Sequence, residues 1–248
     1  MEAILLQQPF ISYRALYDVR YFFFEKTVGR WVCGMAFQSL LGQYRKFKQS
    51  LHDGLEEWYQ AIAISRNPSV LGYLVEHVSL AALERSGLAN VDQKLGHRME
   101  KEYFDGFPDF SKLFNSTDAT RLYLPTKFNF SDIDAAIVRL DRKTRQGFVY
   151  PIQVTIARSH KDSEAHFYSA QWDLWNRIFT RNDFEVSSTF VWIDRQAPSE
   201  EEKGRRARKQ KKAVVTWEKT GLHEHGTAHI GIKSLDEWLA NELTAKGM

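Results

Sequence analysis

Three polar side chains in this sequence occupy stretches that are otherwise apolar. Glu76 lies in the middle of VLGYLVEHVSLAALERSG, Asp134 immediately precedes AAIVRL, and Gln153 interrupts FVYPIQVTI. A carboxylate in such surroundings has to be solvated, paired or bound to a cation, because burying it alone is costly. Side chains alternate along a strand, so Phe148, Tyr150, Ile152, Val154 and Ile156 share one face. Val149, Pro151, Gln153 and Thr155 share the other. Asp132, Asp134 and Ala136 likewise share a face of the preceding segment. If the two strands pair through a hairpin over 142–147, Asp134 comes to lie beside Gln153. Glu76 would add a second carboxylate. Two carboxylates and an amide oxygen around one point form a hard-oxygen set suited to Mg²⁺ or Mn²⁺.

The elements that must position these groups can be read from periodicity and punctuation. Apolar residues on three-and-four spacing predict helix over 15–46 and again over 51–65. Asn67-Pro68-Ser69 is a helix start, and the helix it opens ends at Gly87. Between Gly87 and Arg121 the pattern is weak, with FDGFPDFSKLF read as loop and a short helix. Strands are predicted over 122–127, 135–140 and 148–157, with turn residues between them. A strongly amphipathic helix follows over 163–180, then strands over 187–193 and 213–217 and a short apolar run over 229–232. Ser234 with Glu237 three residues on predicts the cap of a last helix. Three strands, a crossover helix and further strands imply an α/β fold: a mixed β-sheet flanked by helices, preceded by a helical extension.

Composition bounds the rest. The chain has 248 residues, 43% hydrophobic and 26% charged, enough for one large domain with an extension. Its single cysteine, Cys33, excludes an intrachain disulfide and a thiolate zinc site. The first ten residues lack the pattern of a signal peptide, and no window reaches the roughly 18 apolar residues of a membrane span. An intracellular protein without a membrane partner is expected, and its beginning reads as part of something longer. The net charge of +3 is local in origin. Lys203, Arg205, Arg206, Arg208, Lys209, Lys211 and Lys212 form one basic run, so the remainder is net acidic.

The order of an acid on a helix, an Asp opening a strand and a strand with x-(E/Q)-x-K resembles the PD-(D/E)xK nucleases, whose fold is restriction-endonuclease-like. More specifically, NPSVLGYLVEH, LYLPTKFNFSDIDAAIV and FVYPIQVTIARSHK resemble the nuclease domains of the Crinkler/RHS-type effector family. The resemblance covers 67 to about 195. It implies a nuclease domain over 67–248 and a connector over 1–66 that joins an upstream P-loop NTPase. No GxxxxGK[ST] occurs in this chain. It further implies phosphodiester hydrolysis with DNA as the expected substrate, Mg²⁺ or Mn²⁺ as cofactor, and the nucleus, of the cell or of a host, as location. Glu76 would be the helix-borne acid, Asp134 the central metal ligand, and Gln153 the substitute for the motif's Glu. The motif's Lys position holds Thr155, which cannot supply a positive charge. Lys161, directly after His160, is the nearest replacement and Lys127 the next.

Each residue alone also has an ordinary reading. Ser-Asp-Ile-Asp is common turn chemistry, Gln153 fits an edge strand, Pro151 marks an edge or a bulge, and Glu76 could be salt-bridged. His160, His166, His223, His225 and His229 match no zinc scaffold spacing. The alternative functions are an inactive nuclease-fold module that binds nucleic acid or a host protein, and a module whose aromatic N-terminal helices dock on a partner domain. The basic run reads as a loop that binds phosphates or directs nuclear import. Neutralising Arg205, Arg206, Lys209 and Lys211 together is therefore expected to weaken DNA binding. The slope of log affinity against log salt, read by fluorescence anisotropy, should become shallower by about 0.9 for each phosphate no longer neutralised. An unchanged slope would remove the run from the interface.

Overall fold

The computed structural model describes residues 22–25, 28–31, 55–64, 68–117, 119–126, 132–156, 163–195 and 225–247. Two short strands, β1 Phe22–Glu25 and β2 Val28–Trp31, pair with each other. Six more form one sheet in sequence order: β3 Glu100–Phe104, β4 Thr120–Pro125, β5 Ala135–Asp141, β6 Gln146–Thr155, β7 Glu185–Asp194 and β8 Gly226–Gly231. β3 and β4 are parallel, β4, β5 and β6 form an antiparallel meander, and β6, β7 and β8 are parallel. Among the described residues, five strands of this sheet therefore share one direction and β5 alone opposes them. The helices are α1 Leu55–Ile64, α2 Pro68–Ser86, α3 Ser111–Asn115, α4 Ser163–Ala170, α5 Trp172–Arg181 and α6 Glu237–Ala245. The class is α/β, a mixed sheet flanked by helices, as expected from the order of elements.

The alternation of β6 divides the interior into two cores. Tyr150, Ile152 and Val154 pack on one face with Leu74 and Val78 of α2, Trp58 and Ile62 of α1, and Leu239 and Leu243 of α6. Val149 packs on the other with Phe167, Trp172, Trp175 and Phe179. The first core is largely aliphatic and the second largely aromatic, with Trp175 in edge contact with Phe107, Phe110 and Phe167. The aliphatic core runs across the boundary expected at 66/67, since α1 and α2 both contribute to it. α2 ends as its sequence predicts. Gly87 has φ +68° and its N–H reaches the Leu83 carbonyl at 2.9 Å, and a Cβ there would meet the Leu95 carbonyl oxygen at 1.7 Å.

Several expectations are corrected. Within the segment read as helical, β1 and β2 form an antiparallel hairpin. Aromatic runs favour extended backbone, and apolar residues three and four apart do not exclude it. The single helix expected over 163–180 is two, broken at Gln171, whose side chain bonds to Asp132. The cap of α6 is Asp236, which accepts from Leu239 N at 2.9 Å, while the Ser234 hydroxyl donates back to Gly231. Pro151 is in an internal strand, opposite Ala136. Lacking an N–H, it falls in a gap of the β6–β7 register, which passes from Val149↔Ser188 to Ile152↔Val191. β3 lies in the stretch whose pattern predicts only loop and a short helix. The strand read over 213–217 lies outside the described residues, as does most of 15–46.

Truncating Trp175 to Ala should destabilise the protein by about 3–5 kcal/mol, because the buried indole fills the centre of the aromatic core. Leu174→Ala, one residue away and 45% exposed, should change stability by no more than about 0.5 kcal/mol. Urea denaturation of both variants checks the pair.

Candidate active site

The carboxyl ends of β6 and β7 and the amino end of β5 lie at one edge of the sheet. Asp134 sits immediately before β5. Its N–H donates to the Ile152 carbonyl at 2.8 Å, one residue out of step with the Ala135↔Ile152 pairing, so the ladder ends in a bulge. Its Oδ2 accepts from the backbone N–H of Val154 at 2.7 Å and from Gln153 Nε2 at 2.7 Å. A carboxylate thus takes the place of a backbone carbonyl for the last residues of β6. Hydrogen bonds to an ionised acceptor are worth about 1.5–3 kcal/mol each, so this end of the meander is well fixed.

Gln153 and Thr155 project from the face of β6 opposite Ile152 and Val154, and the register sets them beside Trp192 and Asp194 of β7. Thr155 is buried, and Gln153 is half-buried. Glu76 is half-buried on α2, which covers the aliphatic face. Asp134 and Gln153 are in direct contact, whereas the helix that carries Glu76 packs on the face of the sheet opposite Gln153 and Thr155. Lys127, His160, Lys161 and the basic run of Lys203, Arg205, Arg206, Arg208, Lys209, Lys211 and Lys212 lie outside the described residues. Among the described residues no group of three or more His, Cys, Asp or Glu side chains stands together as a metal site. Asp134 with the Gln153 amide is a smaller set, of one carboxylate and one neutral oxygen donor.

A row of polar contacts on the same face escapes sequence reasoning. Glu164, in the first turn of α4, accepts from Trp192 Nε1 at 3.1 Å and from the Thr227 hydroxyl, and pairs with His225 Nε2 at 2.9 Å. The His225 ring stacks on Tyr168 with centroids 3.5 Å apart. His229 Nδ1 lies 2.8 Å from Asp194 Oδ2. A signal for this row is present in the chain. His225, Thr227 and His229 alternate, which on a strand places all three on one face. Comparison with zinc-ligand spacing does not bring that alternation out.

Burial pushes the Glu164 carboxyl up, but the hydrogen bonds from His225, Thr227 and Trp192 outweigh it and hold the group below the usual range. A carboxyl depressed in the folded state contributes stability above its unfolded value, and that contribution is lost as pH falls through the folded one. Melting temperature should thus drop more steeply in the wild type than in Glu164→Gln as pH falls below about 5. Parallel slopes in differential scanning calorimetry would show that Glu164 is not held in this way.

Among the described residues no helix is long and apolar enough to cross a membrane. No protein-family model matches the chain, and neither does any curated protein or solved structure.

Proposed function

We propose that the chain is a metal-dependent nuclease of restriction-endonuclease-like fold, cutting DNA as an effector or toxin module. The observation that carries this reading is the pairing of Asp134 with Gln153 and Val154 N–H at the end of the meander. An Asp heads the second meander strand, Gln-x-Thr closes the third, and an acid-bearing helix precedes both. That is the order of the PD-(D/E)xK motif.

The donor chemistry fits a magnesium or manganese ion. Such an ion keeps several waters and takes one or two carboxylates, and it accepts neutral oxygen donors. Asp134 would hold it with the Gln153 amide oxygen, and Glu76 would supply the second carboxylate. When bound, the ion polarises a phosphate and lowers the pKa of a bound water. Gln153 donates through Nε2 to Asp134, which fixes the rotation of the carboxylate and leaves Oε1 as the acceptor of the amide. Replacing the motif's Glu by Gln removes one negative charge and weakens the hold on the cation. Thr155 brings no charge to the developing phosphorane. Lys161 and His160, which follow β6, would meet that charge, and the run Lys203 to Lys212 would follow the polynucleotide backbone.

Purified protein with Mg²⁺ or Mn²⁺ should nick or linearise plasmid DNA. Asp134→Ala should slow this roughly 10²- to 10³-fold, the worth of several kcal/mol of charge stabilisation. Intact plasmid with the wild type, or equal cutting by the variant, would leave the second reading: an inactive module of the same fold that binds nucleic acid or a host protein.

A further inference from the structure

Two residues before Asp134 the backbone takes a conformation that side chains rarely adopt. Asp132 has φ +82°. Among the described residues the other non-glycine positions of this kind are Arg145, in the β5–β6 hairpin, and Asp183, in the turn from α5 to β7. Both are tight links between adjacent elements. Asp132 instead belongs to a longer connection, between β4 and β5. Its side chain is only 9% exposed.

Two partners from the crossover helices meet its carboxylate. His166 Nδ1 of α4 lies 2.7 Å from Asp132 Oδ1, and Gln171 Nε2, at the joint of α4 and α5, donates to Oδ2 at 2.8 Å. Ile133 follows, fully buried in the aromatic core, and then Asp134, bonded to Gln153 and Val154. Three consecutive residues are therefore fixed in three ways: to helices, to the core and to the neighbouring strand. Residues held in sparsely populated backbone regions persist only where their surroundings over-determine them.

We infer that Asp132 is a positioning residue for Asp134. Its bridge to His166 and Gln171 locks the turn so that the Asp134 carboxylate arrives at the end of β6 in one orientation. The catalytic meaning of this bridge rests on the nuclease reading; its effect on Asp134 does not. The bridge also ties the candidate site to the α4–α5 joint.

Asp132→Gly tests this, because glycine adopts the same positive φ without strain while removing both bonds. Hydrogen exchange at the Val154 amide reads the position of the Asp134 carboxylate with no metal or substrate present. It should speed up about tenfold or more, while Val138 and Val149 amides exchange as in the wild type. Mn²⁺ affinity by electron paramagnetic resonance, and plasmid cleavage, should fall about 10- to 100-fold, the usual cost of losing a group that orients a ligand. Asp132→Asn, which tolerates the backbone and still accepts from Gln171, should keep most of both. Unchanged exchange at Val154 would overturn the inference, as would protection that falls evenly across β5 and β6. If Val154 exchange rises as expected but the wild type neither binds Mn²⁺ nor cuts DNA, the positioning role stands and the nuclease reading falls.

Discussion

A buried N–H needs an acceptor, and at the end of β6 that acceptor is a side chain. Past the Ala135↔Ile152 pair, the Asp134 carboxylate takes the Val154 N–H and holds Gln153 beside it. This substitution lets the strand continue in register with β7 to Thr155↔Asp194 after its antiparallel partner has ended. It also brings an ionised group to a place where the sheet would otherwise show only peptide. The chemistry available at this edge follows from that exchange of a neutral acceptor for a charged one.

The two cores hold the sheet on which this arrangement is built, and they do so with different polar fastenings. On the aliphatic side Lys101 of β3 pairs with Glu84 of α2 at 3.2 Å, with both side chains nearly buried. Asp92 receives Tyr150 and Arg139, and the Arg139 guanidinium lies 3.9 Å over the Phe148 ring. Burial would raise the Asp92 carboxyl, yet the hydrogen bonds from Tyr150 and the Lys94 backbone and the Arg139 charge hold it below the usual range. On the aromatic side Glu164 gathers β7 and β8 onto α4. Removing one partner from such partly buried pairs leaves an uncompensated charge and is costly.

How much of this is legible in the sequence depends on whether local pattern and tertiary context agree. Period-two alternation in FVYPIQVTI, with turn residues on either side, locates β6 and both of its faces. The Asn-Pro start and Gly87 bound α2 to within a residue. Agreement fails where one pattern serves two structures. The aromatic run at Phe22–Phe24 suits helix or strand, and its pairing with β2 decides. β3 is hidden because EKEYF has three charges in five residues; Lys101, Glu102 and Glu100 find partners only after Glu84, Lys112 and Arg121 are brought near. At the site, Asp134 and Gln153 can be paired from register alone. Asp132 cannot be given its partners, since His166 and Gln171 are more than thirty residues away and no spacing rule connects them. The contact of Asp194 with His229 is of the same kind.

The direction of the strands has a consequence for how such a scaffold changes over time. Because β5 opposes the other described strands, one edge of the sheet gathers the carboxyl ends of β3, β4, β6, β7 and β8 together with the entry to β5. The long connections after Pro125, Thr155 and Asp194 all depart from this edge, while the opposite edge carries short links such as the hairpin 142–145 and the turn 182–184. Connections tolerate changes of length and composition better than the elements they join, but the one after Pro125 is pinned near its end, where Ile133 is buried in the aromatic core and Asp132 is bonded to the crossover helices. The rim is thus open to revision only in part: its long links leave room for change, and Asp134 and Gln153 stand beside the stretch that does not.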